Sequence, residues 1–324
     1  MAFPIELSWL IIIVMIIAFL CEFMDSSLGM GYGTTLTPVL LLMGYEAAFI
    51  VPAVLISEFV TGLVSAAFHA WFKNMTLGQN KQLNTRVDTS AKPMIPHTST
   101  NPQYASAGGT SKLQKQSLKE RINELTPDTK VIFILIIFGI FGTLISSIIT
   151  AFYSYDANFK FGVKLYIGVM VLAMGILILV LRRKQLKFSF KRIISIGAIA
   201  GFNKGISGGG YGPLTVSGQI LSGREGKNAI ATTSLSEGVI CFVGALAYIL
   251  TNVIKSTVSG IPMNWAFLGL APFLISGAVL SAPLAALLTK KVENRWLKIV
   301  VGVVTLILGI FSLIKTILGF IGIW

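Results

Sequence analysis

Two glycine-rich segments hold the residues best suited to chemistry: Ser26-Ser27-Leu28-Gly29-Met30-Gly31-Tyr32-Gly33-Thr34 and Gly205-Ile206-Ser207-Gly208-Gly209-Gly210-Tyr211-Gly212-Pro213. Glycine admits backbone conformations closed to other residues and leaves amides uncovered. A helix that starts just past such a break aims its free N–H groups and its positive dipole end into the gap, which favours an anion there. Close helix packing is the competing explanation for such glycines; their density and paired placement exceed what packing requires. The candidate substrate-binding residues are Ser26, Ser27, Gly29, Gly31 and Tyr32 in the first segment. In the second they are Lys204, Ser207, Gly208, Gly209, Gly210 and Tyr211.

Ionisable residues are expensive inside a bilayer, so those near the segments stand out. Asp25 and Lys204 lie just ahead of the two breaks, with opposite sign. They are placed to pair with each other, or Lys204 to meet an anionic substrate. Glu58 and Glu237 each follow a serine and suit proton acceptance or hydrogen bonding to unwound backbone. Asp25, Glu58 and Glu237 are therefore the candidate coupling or gating residues. Glu22 is a further acidic candidate, Asn203 and Gln219 offer uncharged polar contacts, and His69, beside Trp71 near a helix end, suggests an interfacial position.

Other chemistries find little support. Gly29-x-Gly31-x-Gly33 lacks the strand and helix context of a nucleotide-binding turn, and no Walker A motif occurs. Cys21 and Cys241 have no CxxC spacing or histidine neighbours, so they read as small buried hydrophobes. With no catalytic dyad or metal-ligand cluster, the expectation is a protein that is not an enzyme and has no metal or other cofactor.

The elements that must position these residues follow from composition. The chain has 324 residues, 54% hydrophobic and only 12% charged, with a mean hydropathy of +0.79. A soluble domain needs about twice that charged fraction to solvate its surface, so membrane lipid is the expected surround. Full-length apolar runs that suit a bilayer core of about 30 Å are Ile5–Met24, Ala47–Phe72, Val131–Tyr153, Phe161–Leu181, Ile193–Tyr211, Asn228–Leu250, Trp265–Leu288 and Trp296–Phe320. Thr35–Met43 and Leu214–Leu221 are shorter, and each follows a glycine cluster. Met1-Ala-Phe-Pro lacks a basic leader region, so the first run is expected to be retained as a span.

The net charge of +13 sits in clusters between apolar runs, which argues against a nucleic-acid partner and for orientation signals. Lys73–Lys130, Arg182–Arg192, the pair Arg224 and Lys227, and Lys290–Lys298 hold 21 of the 26 basic residues and mark the cytoplasmic side. Lys160, Lys164, Lys255 and Lys315 fall on the opposite side. Lys73–Lys130 is rich in Ser, Thr, Asn, Gln and Pro, with almost no apolar periodicity, and reads as a largely disordered insert. Leu113–Leu125 could form a short amphipathic surface helix within it.

At an offset of 179 positions the chain matches itself. Gly29, Gly31, Tyr32 and Gly33 fall on Gly208, Gly210, Tyr211 and Gly212, and Ser57-Glu58 falls on Ser236-Glu237. Across residues 29–64, 11 of 36 positions are identical. The last helices match at 134, which places Lys164, Gly168, Leu172 and Gly175 on Lys298, Gly302, Leu306 and Gly309. The expected architecture is all-α and polytopic: two inverted five-helix repeats, about ten spans, two of them short and glycine-broken. Residues 1–72 and 131–184 form the first repeat, 73–130 the insert, and 185–324 the second repeat. Inverted repeats with broken helices place a transporter's site near the midplane.

Asp25-Ser-Ser-Leu-Gly-Met-Gly-Tyr-Gly-Thr-Thr-Leu-Thr-Pro38 and Gly201-Phe-Asn-Lys-Gly-Ile-Ser-Gly-Gly-Gly-Tyr-Gly-Pro213 resemble the sulfite exporter TauE/SafE family of membrane permeases. The family's triple-glycine run is present as Gly208–Gly210, whereas the first half has Gly-Met-Gly. The resemblance implies a cell-membrane, multi-pass secondary permease for a small anion, with sulfite and organosulfonates as the associated substrate class. Transport by alternating access is the expected mechanism. A cation or metabolite exporter of the inverted-repeat type, or a non-transporting membrane sensor, remain as alternatives. Oligomeric state is left open, a homodimer included.

Overall fold

A computed structural model of the chain describes residues 8–78, 124–153, 156–181, 189–260, 265–291 and 295–321. Eleven helices make up the described residues. They are α1 (Ser8–Leu28), α2 (Tyr32–Leu42), α3 (Ala47–Trp71), α4 (Pro127–Phe152), α5 (Ala157–Leu181), α6 (Phe190–Ser207), α7 (Tyr211–Leu221), α8 (Gly226–Ser259), α9 (Ala266–Val279), α10 (Ala282–Lys291) and α11 (Arg295–Ile321). Of the 73–130 insert, residues 79–123, with almost all of Leu113–Leu125, lie outside the described residues.

Six helices are long and apolar enough to cross a membrane, and α9 with α10 makes a seventh as a bent pair. The expectation of eight full-length spans is corrected at two places. Trp265–Leu288 is not one straight helix but bends by 42° between α9 and α10. Pro283 explains the break, because it has no N–H for the carbonyl four residues back and its ring crowds that turn. The predicted span Ile193–Tyr211 stops at Ser207, where Gly208 adopts a left-handed conformation (φ 72°). At 18 residues, with Lys191, Arg192 and Lys204, the resulting α6 falls outside the apolar-span class. Elsewhere the helices keep to the apolar runs. α4 starts early because Thr126 caps it, accepting from the Thr129 N–H, with Pro127 at the first helical position.

The two short helices have 11 residues each, about 16 Å of rise and so about half a bilayer core. Both start directly at a glycine break, and they run to opposite ends of the bundle. The C-terminal carbonyls of α2, at Leu41 and Leu42, accept from Lys315 (3.2 and 2.8 Å) at the end where α5 begins. Past the end of α7, Arg224 pairs with Asp128 at the start of α4. Asp128 also accepts from the Thr76 amide (2.8 Å) and from Asn228 (2.9 Å).

α3 lies along α8, α5 along α11, α6 along α4, and α1 along α9 and α10. Small residues permit these approaches. On α5 and α11 the fit is reciprocal: Leu306 packs over Gly175, Leu172 over Gly309, Leu313 over Gly168 and Leu179 over Gly302. The apolar core gathers α1, α2, α3, α5 and α9 around Tyr32, Leu36, Ile50, Ile167 and Leu274. Isoleucine and phenylalanine side chains of α4, α8 and α11 stay exposed on the outside, as lipid contact requires.

Candidate functional site

α1 ends where Gly29 turns left-handed (φ 68°), and α2 resumes after Gly31 (φ 139°). α6 and α7 are separated in the same way by Gly208 (φ 72°) and Gly210 (φ 80°). These positive φ values strain any residue with a Cβ. The two breaks cross in backbone contact. A Cβ placed on Gly209 would lie 2.6 Å from the Gly33 carbonyl carbon and 2.8 Å from the Thr34 nitrogen. One placed on Gly212 would lie 3.0 Å from the Met30 Cα. No side chain fits at this crossing, and it is sealed from the outside: Leu28, Met30, Tyr32, Ser207 and Tyr211 are all buried.

Counterparts make the same contacts. Tyr32 Oη and Ser57 Oγ share a hydrogen bond of 2.7 Å, and Tyr211 donates to Ser236 Oγ at 3.0 Å. Each bond ties the start of a short helix to the long helix after it. The charged positions differ between the halves. Asp25 accepts from the Tyr32 amide (3.2 Å) and Glu58 from the Gly33 amide (3.2 Å), so the chain's own carboxylates occupy the amides at the start of α2. Among the described residues no carboxylate takes the corresponding place at the start of α7, where the N-cap is Gly210. Lys204, the counterpart of Asp25, carries the wrong sign to accept from an amide.

Lys204 is wholly buried and lies between two carboxylates, bonded to Glu237 Oε1 at 2.7 Å and to Glu58 Oε2. The direct Asp25–Lys204 pairing considered from the sequence does not form, because the two glutamates on α3 and α8 reach the ammonium first. Cys241 joins the group, its thiol 3.6 Å from Glu58 Oε2. Beside the lysine lies a narrow cavity of about 10 Å³, lined by Glu22, Asp25, Glu58, Ser65, Ser234 and Glu237 among others. That is room for about one water. Glu237 Oε2 and Ser65 Oγ are buried without a partner. Among the described residues no three or more histidine, cysteine, aspartate or glutamate side chains are placed to hold one metal ion together.

The remaining candidates serve the breaks themselves. Ser26 donates to Glu22 Oε1 (2.5 Å) and Ser27 to the Met24 carbonyl (3.3 Å), so neither hydroxyl reaches the opposite break. Ser207 Oγ donates to the Asn203 carbonyl (2.6 Å) and accepts from the Gly209 amide (3.1 Å), which holds the turn. Asn203 Oδ1 accepts from Tyr166, and Gln219 donates to Thr233 (3.0 Å). His69 is fully buried rather than interfacial. Its Nε2 donates to the Ser26 carbonyl (2.9 Å) and its Nδ1 accepts from Asn74 (2.9 Å). Thr289 on α10 donates to the Ser27 carbonyl (3.0 Å). Carbonyls freed where α1 ends are costly in an apolar surround, and His69 and Thr289 satisfy them. Only long-range packing brings these two residues to the break, and local sequence gave no sign of it. Ser65 and Ser234, which line the cavity, had no distinguishing motif.

The chain is 25% identical over 304 residues, 90% of its length and 79% of the relative's, to a probable membrane transporter protein YtnM of Bacillus subtilis (strain 168). No solved structure matches it. The family model for sulfite exporter TauE/SafE matches residues 116–312. Helices long enough to span, a buried crossing of broken helices and these matches converge: the chain belongs to the sulfite exporter TauE/SafE family and is a multi-pass membrane permease.

Proposed function

We propose that the permease moves a small anion, with sulfite or an organosulfonate as the substrate class, by alternating access across the glycine crossing. The observation that carries the reading is the backbone contact between Gly33 and Gly209, deep among buried residues. A site buried in this way admits solute only through a change of conformation, and a contact without side chains can part without disrupting a packed core. The start of α7, which begins at Gly210, offers amides to an anion, while Gly208–Gly210 and Tyr211 shape the approach. Lys204 supplies the positive charge once Glu58 or Glu237 is protonated, which makes these carboxylates, with Asp25, the coupling groups.

Two oppositely oriented copies of one unit underlie this arrangement. Support comes from the Tyr32–Ser57 and Tyr211–Ser236 bonds, exchanged at an offset of 179, and the four leucine–glycine contacts of α5 and α11, exchanged at 134. The short helices running to opposite ends agree with inversion. The domain division follows: residues 1–72 with 131–184 as one unit, 185–324 as the other.

Flux into proteoliposomes tests the reading. Saturable anion uptake that is lost in both Lys204→Ala and Gly209→Leu is the expected result; undiminished uptake in the pair of variants removes the site. A cation exporter is the second reading, favoured by Glu22, Asp25, Glu58 and Glu237 gathering near a single lysine. A panel of sulfite, sulfonates, divalent cations and amino acids separates the two.

A further inference from the structure

A cavity of about 440 Å³ lies far from the glycine crossing, where α2 ends, α5 begins and α11 ends. That volume is in the range of small-ligand sites. Lys160, Lys164 and Lys315 all line it, and they are three of the five basic residues outside the clusters between spans. Lys160 pairs with Glu46 at 3.1 Å, and Lys315 bonds the terminal carbonyls of α2. Lys164 is half-buried and has no carboxylate partner among the described residues. Three lysines thus line one concave space, and no carboxylate is among its described lining residues. The rest of the wall is mainly apolar, with Leu41, Leu42, and Phe161 stacked on Phe320 with ring centroids 4.4 Å apart, beside the hydroxyl residues Ser312 and Thr316.

We infer that this cavity is a second anion site, distinct from the crossing, and that it takes an oxyanion head of the sulfonate or phosphate type bearing an apolar substituent. Lys164 meets the charge directly. Lys315 adds positive potential while held by the end of α2, and Lys160 does so while shared with Glu46. The leucines and phenylalanines accept the apolar part, which a bare inorganic anion would leave unfilled. Two sources present this chemistry: a soluble alkyl sulfonate and the phosphate of an anionic lipid with the first carbons of its chains. The inference concerns equilibrium binding and stands apart from the permeation reading.

The test titrates butanesulfonate and inorganic sulfate into the purified full-length protein at constant ionic strength. One arm uses phosphatidylcholine nanodiscs and the other phosphatidylglycerol nanodiscs. Saturable butanesulfonate binding is expected, tighter than sulfate and weakened tenfold or more in Lys164→Gln. Phe161→Ala is expected to weaken butanesulfonate but not sulfate. If the site takes a soluble anion, binding is the same in both lipids; if it takes lipid, phosphatidylglycerol abolishes the butanesulfonate signal. Absence of saturable binding in phosphatidylcholine, or binding unchanged in Lys164→Gln, overturns the proposal. Because Lys204 and Gly209 remain intact throughout, loss of flux in their variants leaves this result untouched.

Discussion

Lys204 shows how one residue type decides a site. A buried ammonium needs partners, since desolvation costs several kcal/mol, and Glu58 and Glu237 provide them from separate helices. Lys204→Ala is expected to destabilise the protein by about 3–5 kcal/mol, because it strands two carboxylates in the interior. Adding Glu58→Gln and Glu237→Gln to that variant should restore much of the loss, measured as the unfolding midpoint in detergent. The tyrosines make a milder and symmetric case. Tyr32→Phe and Tyr211→Phe should each cost about 1 kcal/mol, with similar effects because each removes the counterpart of the other's bond. Unequal costs larger than that would show that the two breaks carry different loads. The opposite sign of Asp25 and Lys204 was visible in the chain. Their separate fates were not, because which carboxylate reaches the ammonium depends on the approach of α3 and α8.

At the level of helices, breaks and glycine contacts set the geometry. Gly175 admits Leu306 so closely that a Cβ there would lie 2.8 Å from the Leu306 nitrogen. Gly175→Ala is therefore expected to cost about 1–3 kcal/mol by overpacking. Because backbone as well as side chain is in the way, Leu306→Ala should relieve only part of it, a coupling that a double-mutant cycle in thermal unfolding measures. The start of α2 and of α7 at glycine follows from local rules, whereas the end of α6 at Ser207 falls short of the Ile193–Tyr211 run that hydropathy outlines. The bend between α9 and α10 also has a local cause in Pro283, yet a hydropathy profile hides it because the run stays apolar throughout.

For the whole molecule, the insert tests how the units are joined. Gly78 and Thr126 are neighbours, the Thr126 amide donating to the Gly78 carbonyl at 3.0 Å, and Thr126 Oγ1 donates to the Thr76 carbonyl at 2.7 Å. Asp128 fastens the same point to Arg224 and Asn228. The two ends of the insert are thus pinned together. Replacing residues 80–123 with a short glycine–serine linker is expected to leave the unfolding midpoint and anion flux unchanged; loss of both would make the insert part of the transport unit. Asp128→Ala, by contrast, should lower the midpoint, since it leaves the partly buried Arg224 without its carboxylate.

The chain alone determined that this is a helical membrane protein, that two glycine clusters interrupt its apolar runs, and that two stretches of it are alike. These depend on hydropathy over about 20 residues and on glycine's backbone freedom, both local properties. The tertiary structure decided which polar groups meet: His69 and Thr289 on the end of α1, Glu58 and Glu237 on Lys204, three lysines on one cavity. Those meetings join residues far apart in the chain, and no local spacing encodes a contact that exists only once helices from both halves have packed.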